Sequence, residues 1–225
     1  MRLDAAGAID ALCDLPARLA NGLADSFARA QRRAPIGREE HPSASGVIVR
    51  LKGATLEYVS LGDCALIAED ASGLRTLGVE EDTSGDLWVR EVITADRRAN
   101  PGSPQKQLRE NLWPKLRAAR AAMNTPGGYG VFSITPPPPH FVRSGAITLA
   151  PGASVLLASD GLTRLVDVFQ RYDARKLFNT ARAHGLASLV DELRQIETAD
   201  SECISFPRAK ISDDSTGMLL RVAQR

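Results

Sequence analysis

Acidic side chains at the ends of apolar runs are the residues of this chain best suited to chemistry. Asp63 follows Tyr58-Val59-Ser60-Leu61-Gly62. Asp160 follows Val155-Leu156-Leu157-Ala158-Ser159 and precedes Gly161, and Asp213-Asp214 precede the run Thr216–Val222. A strand end holds a short side chain rigidly, and an adjacent glycine lets backbone carbonyls or water approach closely. Carboxylates gathered in this way repel one another and titrate upward unless a cation neutralises them. Oxygen donors without His or Cys suit a hard divalent ion, Mg²⁺ or Mn²⁺, better than zinc. Taken singly, each motif is ordinary turn chemistry: Asp-Gly is a common turn dipeptide, and Asp213-Asp214-Ser215 would serve as a loop cap. Their order and setting together carry the information.

Other chemistries lack local support. His41, His140 and His184 are isolated, and Cys13, Cys64 and Cys203 form no CxxC pair. A sparse, odd set of cysteines fits a reducing compartment and argues against a disulfide framework or a structural zinc site. There is no GxSxG elbow, no GxxxxGK[ST] loop and no GxGxxG following a strand. Lys+Arg 28 against Asp+Glu 27 leaves a net charge of +1, so no broad positive field is available to hold nucleic acid. With 44% hydrophobic residues in 225, the chain can build a real core and is no disordered polyelectrolyte. No apolar run reaches the roughly 18 residues of a membrane span, and the N-terminus lacks a secretory layout. The expectation is a cytoplasmic globule that binds neither nucleic acid nor membrane. The basic residues are overwhelmingly arginine, with lysine only at Lys52, Lys106, Lys115, Lys176 and Lys210, which reads as compositional bias.

The elements that must position these acids follow from periodicity. Residues 5–33 read as helical, with Ile9, Leu12, Leu19, Leu23 and Phe27 at threes and fours, Asp14 as a cap and Pro16 in a first turn. Arg29, Arg32, Arg33 and Arg38 read as a solvated helix end. Val47–Leu51 and Thr55–Leu61 predict a hairpin around Lys52-Gly53-Ala54. Cys64–Ala68 is a third strand closed by Asp70, Ser72 and Gly73, and Leu87–Ile93 is expected as a fourth. The apolar runs are nearly continuous, which implies strands covered on both faces and hence a sandwich with outer helices. Residues 103–123 form a helix that Pro114 should kink or split. Val131–Ile134 is a strand, followed by the stiff Pro136–Pro139 connector. Ala146–Leu149 and Val155–Ala158 predict a second hairpin about Pro151-Gly152. Helices at 174–184 and 186–197 and a strand at Thr216–Val222 complete one expected domain, 1–225.

In order and setting, the acidic motifs resemble those of the metal-dependent serine/threonine protein phosphatases of type 2C, the PPM family. Leu61-Gly62-Asp63-Cys64 is similar to that family's glycine-aspartate-serine motif. Leu156-Leu157-Ala158-Ser159-Asp160-Gly161-Leu162 is similar to its apolar-strand-then-SDG motif, and Ser212-Asp213-Asp214-Ser215-Thr216 to its closing aspartate motif. Asn124-Thr125-Pro126-Gly127-Gly128-Tyr129-Gly130-Val131 resembles a segment of bacterial members. The resemblance covers roughly residues 40–225. It implies an α+β fold, a four-layer α-β-β-α sandwich of two antiparallel sheets flanked by helices, with two Mg²⁺ or Mn²⁺ ions at one end. The implied reaction is removal of phosphate from phosphoserine or phosphothreonine in proteins by a metal-activated water. Asp160 and Asp213 would hold the dinuclear centre and Asp63 a looser third metal. Gly161 would give room beside the metal, and Asp214 would orient its neighbour. Cys64 would be a small buried packing residue where the family has serine.

One feature of the family is missing. Its early aspartate-glycine motif, whose aspartate bridges both metals, has no counterpart here: Asp4, Asp10, Asp14 and Asp25 lie in helical or capping contexts with no glycine after them. The first strands are therefore expected to be absent, through truncation, a displaced start codon or true loss. Two remaining carboxylates would hold one hydrated cation weakly, or none, and could not clamp two at the roughly 3.5–4 Å that the mechanism uses. Unpaired sheet edges would need a partner or a second copy of the chain to cover them. The expectation is a phosphatase-type chain of weak or no activity. The alternatives are a non-catalytic regulatory or binding module on the same scaffold, and an unrelated mixed α/β protein with structural Asp turns.

Overall fold

The two tightest turns of the chain are set by their own residues. A computed structural model describes residues 12–79 and 84–223. In it, β2 (Gly46–Lys52) and β3 (Thr55–Leu61) pair antiparallel with Lys52 opposite Thr55, so only Gly53 and Ala54 turn. Gly53 takes φ +60°, which a two-residue hairpin demands and a side chain resists. β4 (Ala65–Asp70) and β5 (Gly73–Leu77) form a second hairpin, with Asp70 opposite Gly73. There Asp70 Oδ1 accepts from both the backbone N–H and the hydroxyl of Ser72, each at 2.8 Å, closing the turn locally. The strand β5 was not anticipated from the sequence.

Two antiparallel sheets make the sandwich. β2 and β7 (Arg143–Thr148) flank β3 in a three-stranded sheet, while β5, β4, β8 (Ser154–Ala158) and β9 (Gly217–Arg221) follow one another in a four-stranded one. Ser159 N–H donates to Thr216 O and Val222 N–H to Ala153 O, so β8 and β9 run antiparallel. A further short pair joins β1 (Ser43–Ala44) to β6 (Phe132–Ser133). Leu56 and Ile147 from the first sheet and Leu66, Ala68, Leu77 and Val155 from the second form one buried cluster. The central strands β3, β4 and β8 are buried on both faces, as their unbroken apolar runs imply. Glu57 is the exception, an acid buried on β3. Arg50, its cross-strand partner, reaches it at 2.6 Å and Lys52 at 3.5 Å. Burial pushes the Glu57 carboxyl up, but these two cations outweigh it and leave it below its ordinary value.

Ala146–Leu149 and Val155–Ala158 are strands but do not form the expected hairpin, because they lie in different sheets. Leu149 N–H donates to Ala54 O, tying the end of β7 to the first sheet. The turn closed by Ala153 N–H on Ala150 O then carries the chain into the second. The short link is a crossover between layers.

The chain divides into two compact units. One takes in the described residues up to Val79 with Ala118–Leu157 and the stretch from Leu220 on, and so holds most of the sandwich. It carries helix α1 (Leu15–Ala30), preceded by Asp14 without a side-chain cap, contrary to expectation; the Asp14 carbonyl instead accepts from Arg18 N–H. The buried stripe of α1 is Pro16 and Ala20, continuing from Leu12, whereas Leu19 and Leu23 are exposed. Small residues let the helix sit closely, which a reading that weights large apolar side chains misses. Arg33 pairs with Glu40 and Arg38 donates to Met123 O, so these arginines serve local structure. Asp4, Asp10 and residues 5–11 of the expected helix lie outside the described residues.

The second unit takes in the remaining residues up to Arg117 and Ala158–Leu219. The expected strand Leu87–Ile93 is part of helix α2 (Ser84–Ala99). Val89, Val92 and Ile93 recur at helical spacing and pack with Leu108 and Leu112 of α3 (Gln105–Ala121), which overrides the β-branched composition. Pro114 lies inside α3 and does not split it. It is exposed, and its ring leaves one carbonyl of the helix without its ladder donor. Helix α4 (Asp160–Asp167) packs on α5 (Ala174–Ala199), which breaks at Gly185 where the sequence placed two helices. Among the described residues no helix is long and apolar enough to cross a membrane. The Leu66→Ala variant empties a fully buried site of the sandwich and is expected to lose about 2–5 kcal/mol. Leu51→Ala, at an exposed position, should stay within about 0.5 kcal/mol of the parent by urea unfolding.

Candidate functional site

The second unit brings two distant acidic segments into backbone contact. β8 ends at Ala158, Ser159 stays extended as the residue capping α4, and Asp160 opens that helix. Ser159 N–H donates to Thr216 O at 2.9 Å, and Thr216 N–H returns to Ser159 Oγ at 3.0 Å. The Ser159 hydroxyl also reaches Asp214 O at 3.4 Å. These bonds lay residues 213–216 across the start of α4. Gly161 makes the approach possible: a Cβ there would stand 2.1 Å from Asp214 O. The room that glycine provides is filled by this chain's own carbonyl.

Asp213 is held by cations. Arg164 Nη2 donates to its Oδ2 at 2.9 Å, while Lys210 Nζ at 2.6 Å and Asp214 N–H at 3.0 Å donate to its Oδ1. Arg194 Nη2 donates to its carbonyl at 2.8 Å. Glu197, only 1% exposed, accepts from Arg164 on one oxygen and from Arg194 on the other. Burial pushes the Asp213 carboxyl up, but Lys210, Arg164 and the Asp214 N–H outweigh it and hold the carboxyl below its ordinary value. Asp160 is half-buried, and its carbonyl accepts from the Thr163 hydroxyl at 3.1 Å. Asp214 is exposed; it acts on Asp213 through its backbone N–H.

Of the residues singled out from sequence, Asp160, Gly161, Asp213 and Asp214 therefore share one junction in the second unit. Asp63 belongs to the first unit, exposed in the turn between β3 and β4. Burial pushes the Tyr129 phenol up, with Arg120 opposing and the Asp63 charge adding to the rise. Cys64 is half-buried, not the buried packing residue expected. The 124–131 segment is a clamped loop: Asn124 Oδ1 accepts from Val131 N–H, and its Nδ2 donates to Val131 O and Thr135 O. Arg164, Lys210, Arg194 and Glu197 were missed. Among the described residues, no group of three or more His, Cys, Asp or Glu gathers to hold a metal.

No family model matches the sequence, and no curated protein does. Among solved structures, the chain is similar to a serine-threonine phosphatase 2C from Toxoplasma gondii, with a TM-score of 0.55 at 13% identity, over 96% of this chain and 67% of that one. It is also similar to PppA, described as a regulatory component of T6SS in Pseudomonas aeruginosa, with a TM-score of 0.47 at 15% identity over 94% and 68%. The catalytic domain of the phosphatase PstP, in complex with two manganese ions, gives 0.47 at 16% over 94% and 71%. The chain has the fold of the type 2C serine/threonine phosphatases.

Gly161→Ala forces the new methyl against a backbone carbonyl and is expected to lose about 1–3 kcal/mol in urea unfolding. Asp213 has a folded pKa below its unfolded one. Its stabilising contribution is therefore complete above the unfolded carboxylate range, at about pH 4, and is lost as pH falls through the folded value. The stability gap between the parent and Asp213→Asn should be largest near neutrality and close on acidification; a gap that is constant with pH would contradict the pairing.

Proposed function

We propose that this chain is a metal-dependent phosphohydrolase that removes phosphate from phosphoserine or phosphothreonine in proteins. Asp160 and Asp213 would hold Mg²⁺ or Mn²⁺. The observation that carries the reading is the contact of Gly161 with the Asp214 carbonyl, which joins the two acidic segments whose motifs resemble the phosphatase ones. The type 2C fold supports it as well. The donors present fit a hard cation in kind: Asp160 and Asp213 are carboxylates, and Asp213 is kept ionised near neutrality. In number they fall short: among the described residues no three His, Cys, Asp or Glu gather to hold an ion.

When bound, such an ion lowers the pKa of a water and screens charge on the phosphoryl oxygens. The chain's own residues do the positioning. Ser159 ties the start of α4 to Thr216 and Asp214. Arg194 fixes the Asp213 carbonyl, and the Asp214 N–H orients the Asp213 carboxylate. The phosphoprotein is the partner this reading requires.

A second reading, a non-catalytic binding module on the phosphatase scaffold, is favoured by one observation: both oxygens of Asp213 are already engaged by cationic side chains. Phosphate release from a phosphothreonine peptide, with and without Mn²⁺, separates the two. The hydrolase reading expects Mn²⁺-dependent release that falls at least about tenfold in Asp160→Asn. Peptide binding without release, from a folded chain, supports the module. Release that ignores both Mn²⁺ and Asp160→Asn removes the proposed site.

A further inference from the structure

We infer that the outer edge of β2 is a pairing surface for a second copy of this chain, which adds its own β2 antiparallel about Val49. The register of the first sheet fixes which backbone groups face that edge. Leu149 N–H donates to Ala54 O, so Ala54, Leu56, Tyr58 and Ser60 turn their backbone groups toward β7. Thr55, Glu57, Val59 and Leu61 therefore bond to β2, through Lys52, Arg50, Ile48 and Gly46. The N–H and C=O of Val47, Val49 and Leu51 are left directed away from the sheet. Among the described residues β3 is the only strand paired with β2, and none of these three residues makes another backbone hydrogen bond. An edge of 7 residues with no bulge and no proline is a template for another strand.

The residues of β2 select both the occupant and the register. Pairing two β2 strands about Val49 matches all 7 residues. It sets Val47 against the partner's Leu51 and Val49 against the partner's Val49, so every outward-bonding residue meets another. Each such pair exchanges two hydrogen bonds. Arg50 then lies opposite the partner's Ile48, and Lys52 opposite the partner's Gly46, so no two cations meet across the strands. Centring the pair on Arg50 would set arginine against arginine, a destabilising like-charge contact. Centring it on Ile48 would leave Leu51 and Lys52 beyond the partner's β2. Leu51, 49% exposed, gains the partner's Val47 as its neighbour across the strands. Such two-fold pairing is isologous and closes at two chains.

Sedimentation of the full chain over a range of concentrations should show the mass of one chain rising to that of two. Val49→Pro removes an outward N–H and none of the bonds to β3, a position at which an edge strand tolerates proline. That variant should fold and remain a single chain. Disulfide capture reads the register. Val49→Cys, with its Cα about 5.5 Å from that of its own copy, lies within disulfide reach and should cross-link on mild oxidation. Leu51 is the more exposed position, but in this register it stands roughly 14 Å from its own copy. Leu51→Cys should therefore cross-link no more than the parent, which carries only Cys13, Cys64 and Cys203. A chain that stays single at every concentration overturns the inference, as does a dimer that survives in folded Val49→Pro. Cross-linking of Leu51→Cys as strong as that of Val49→Cys also overturns it. Should Val49→Pro fail to fold, the two cysteine variants decide alone.

Discussion

A backbone carbonyl pressed against a residue without a side chain organises the acidic junction. Because Gly161 carries no Cβ, the Asp214 carbonyl can lie against the start of α4, and Ser159 can exchange hydrogen bonds with Thr216. Once those segments meet, Asp160, Asp213 and Asp214 are confined to one small region. Carboxylates so confined must be neutralised, protonated or moved apart. Here Arg164 and Lys210 neutralise Asp213, while Asp214 points to solvent and contributes its backbone. The charge pattern of the junction is a consequence of the close approach.

The acids were legible in the sequence because turn chemistry is local. Ser-Asp-Gly after an apolar run and Asp-Asp-Ser before another mark their own positions. Their cationic partners were not. In a chain whose basic residues are nearly all arginine, Arg164 and Arg194 carry no compositional signal. One cue was available: Leu162, Leu165 and Val166 recur at helical spacing directly after Asp160. Reading a helix there would have put Arg164 one turn beyond Asp160 on the same face. Taking Asp160 only as a strand end concealed both α4 and its arginine. Glu197 could not be found in this way, since its burial depends on how α5 packs on α4.

The same division runs through the fold. The β2–β3 hairpin was readable because Gly53 and the register of two apolar runs determine it within a few residues. The break of α5 at Gly185 was readable for a similar reason. Where the outcome depends on a distant partner, local rules failed. Val89, Val92 and Ile93 belong to a helix because Leu108 and Leu112 accept them at that spacing. β7 and β8, joined by a turn short enough for a hairpin, part company because β7 pairs with β3. The buried stripe of α1 is made of small residues that hydrophobicity patterns discount.

The choice of basic residue around Asp213 is itself an argument about the site. A guanidinium has donors enough to span two carboxylates in fixed geometry, and Arg164 does so between Asp213 and the buried Glu197. Arg194 closes the same network from the other side, with its fork divided between Glu197 and the Asp213 carbonyl. Glu197 is thus neutralised from two directions, which a carboxylate with 1% exposure requires. Had 210 also been an arginine, as most basic positions of this chain are, both oxygens of Asp213 would be held by planar, multiply bonding groups. A lysine there leaves one oxygen under a single, solvent-facing charge. The clamp on Asp213 is therefore buried and doubly anchored on the side that faces Glu197, and exposed with a single ammonium on the side of Lys210.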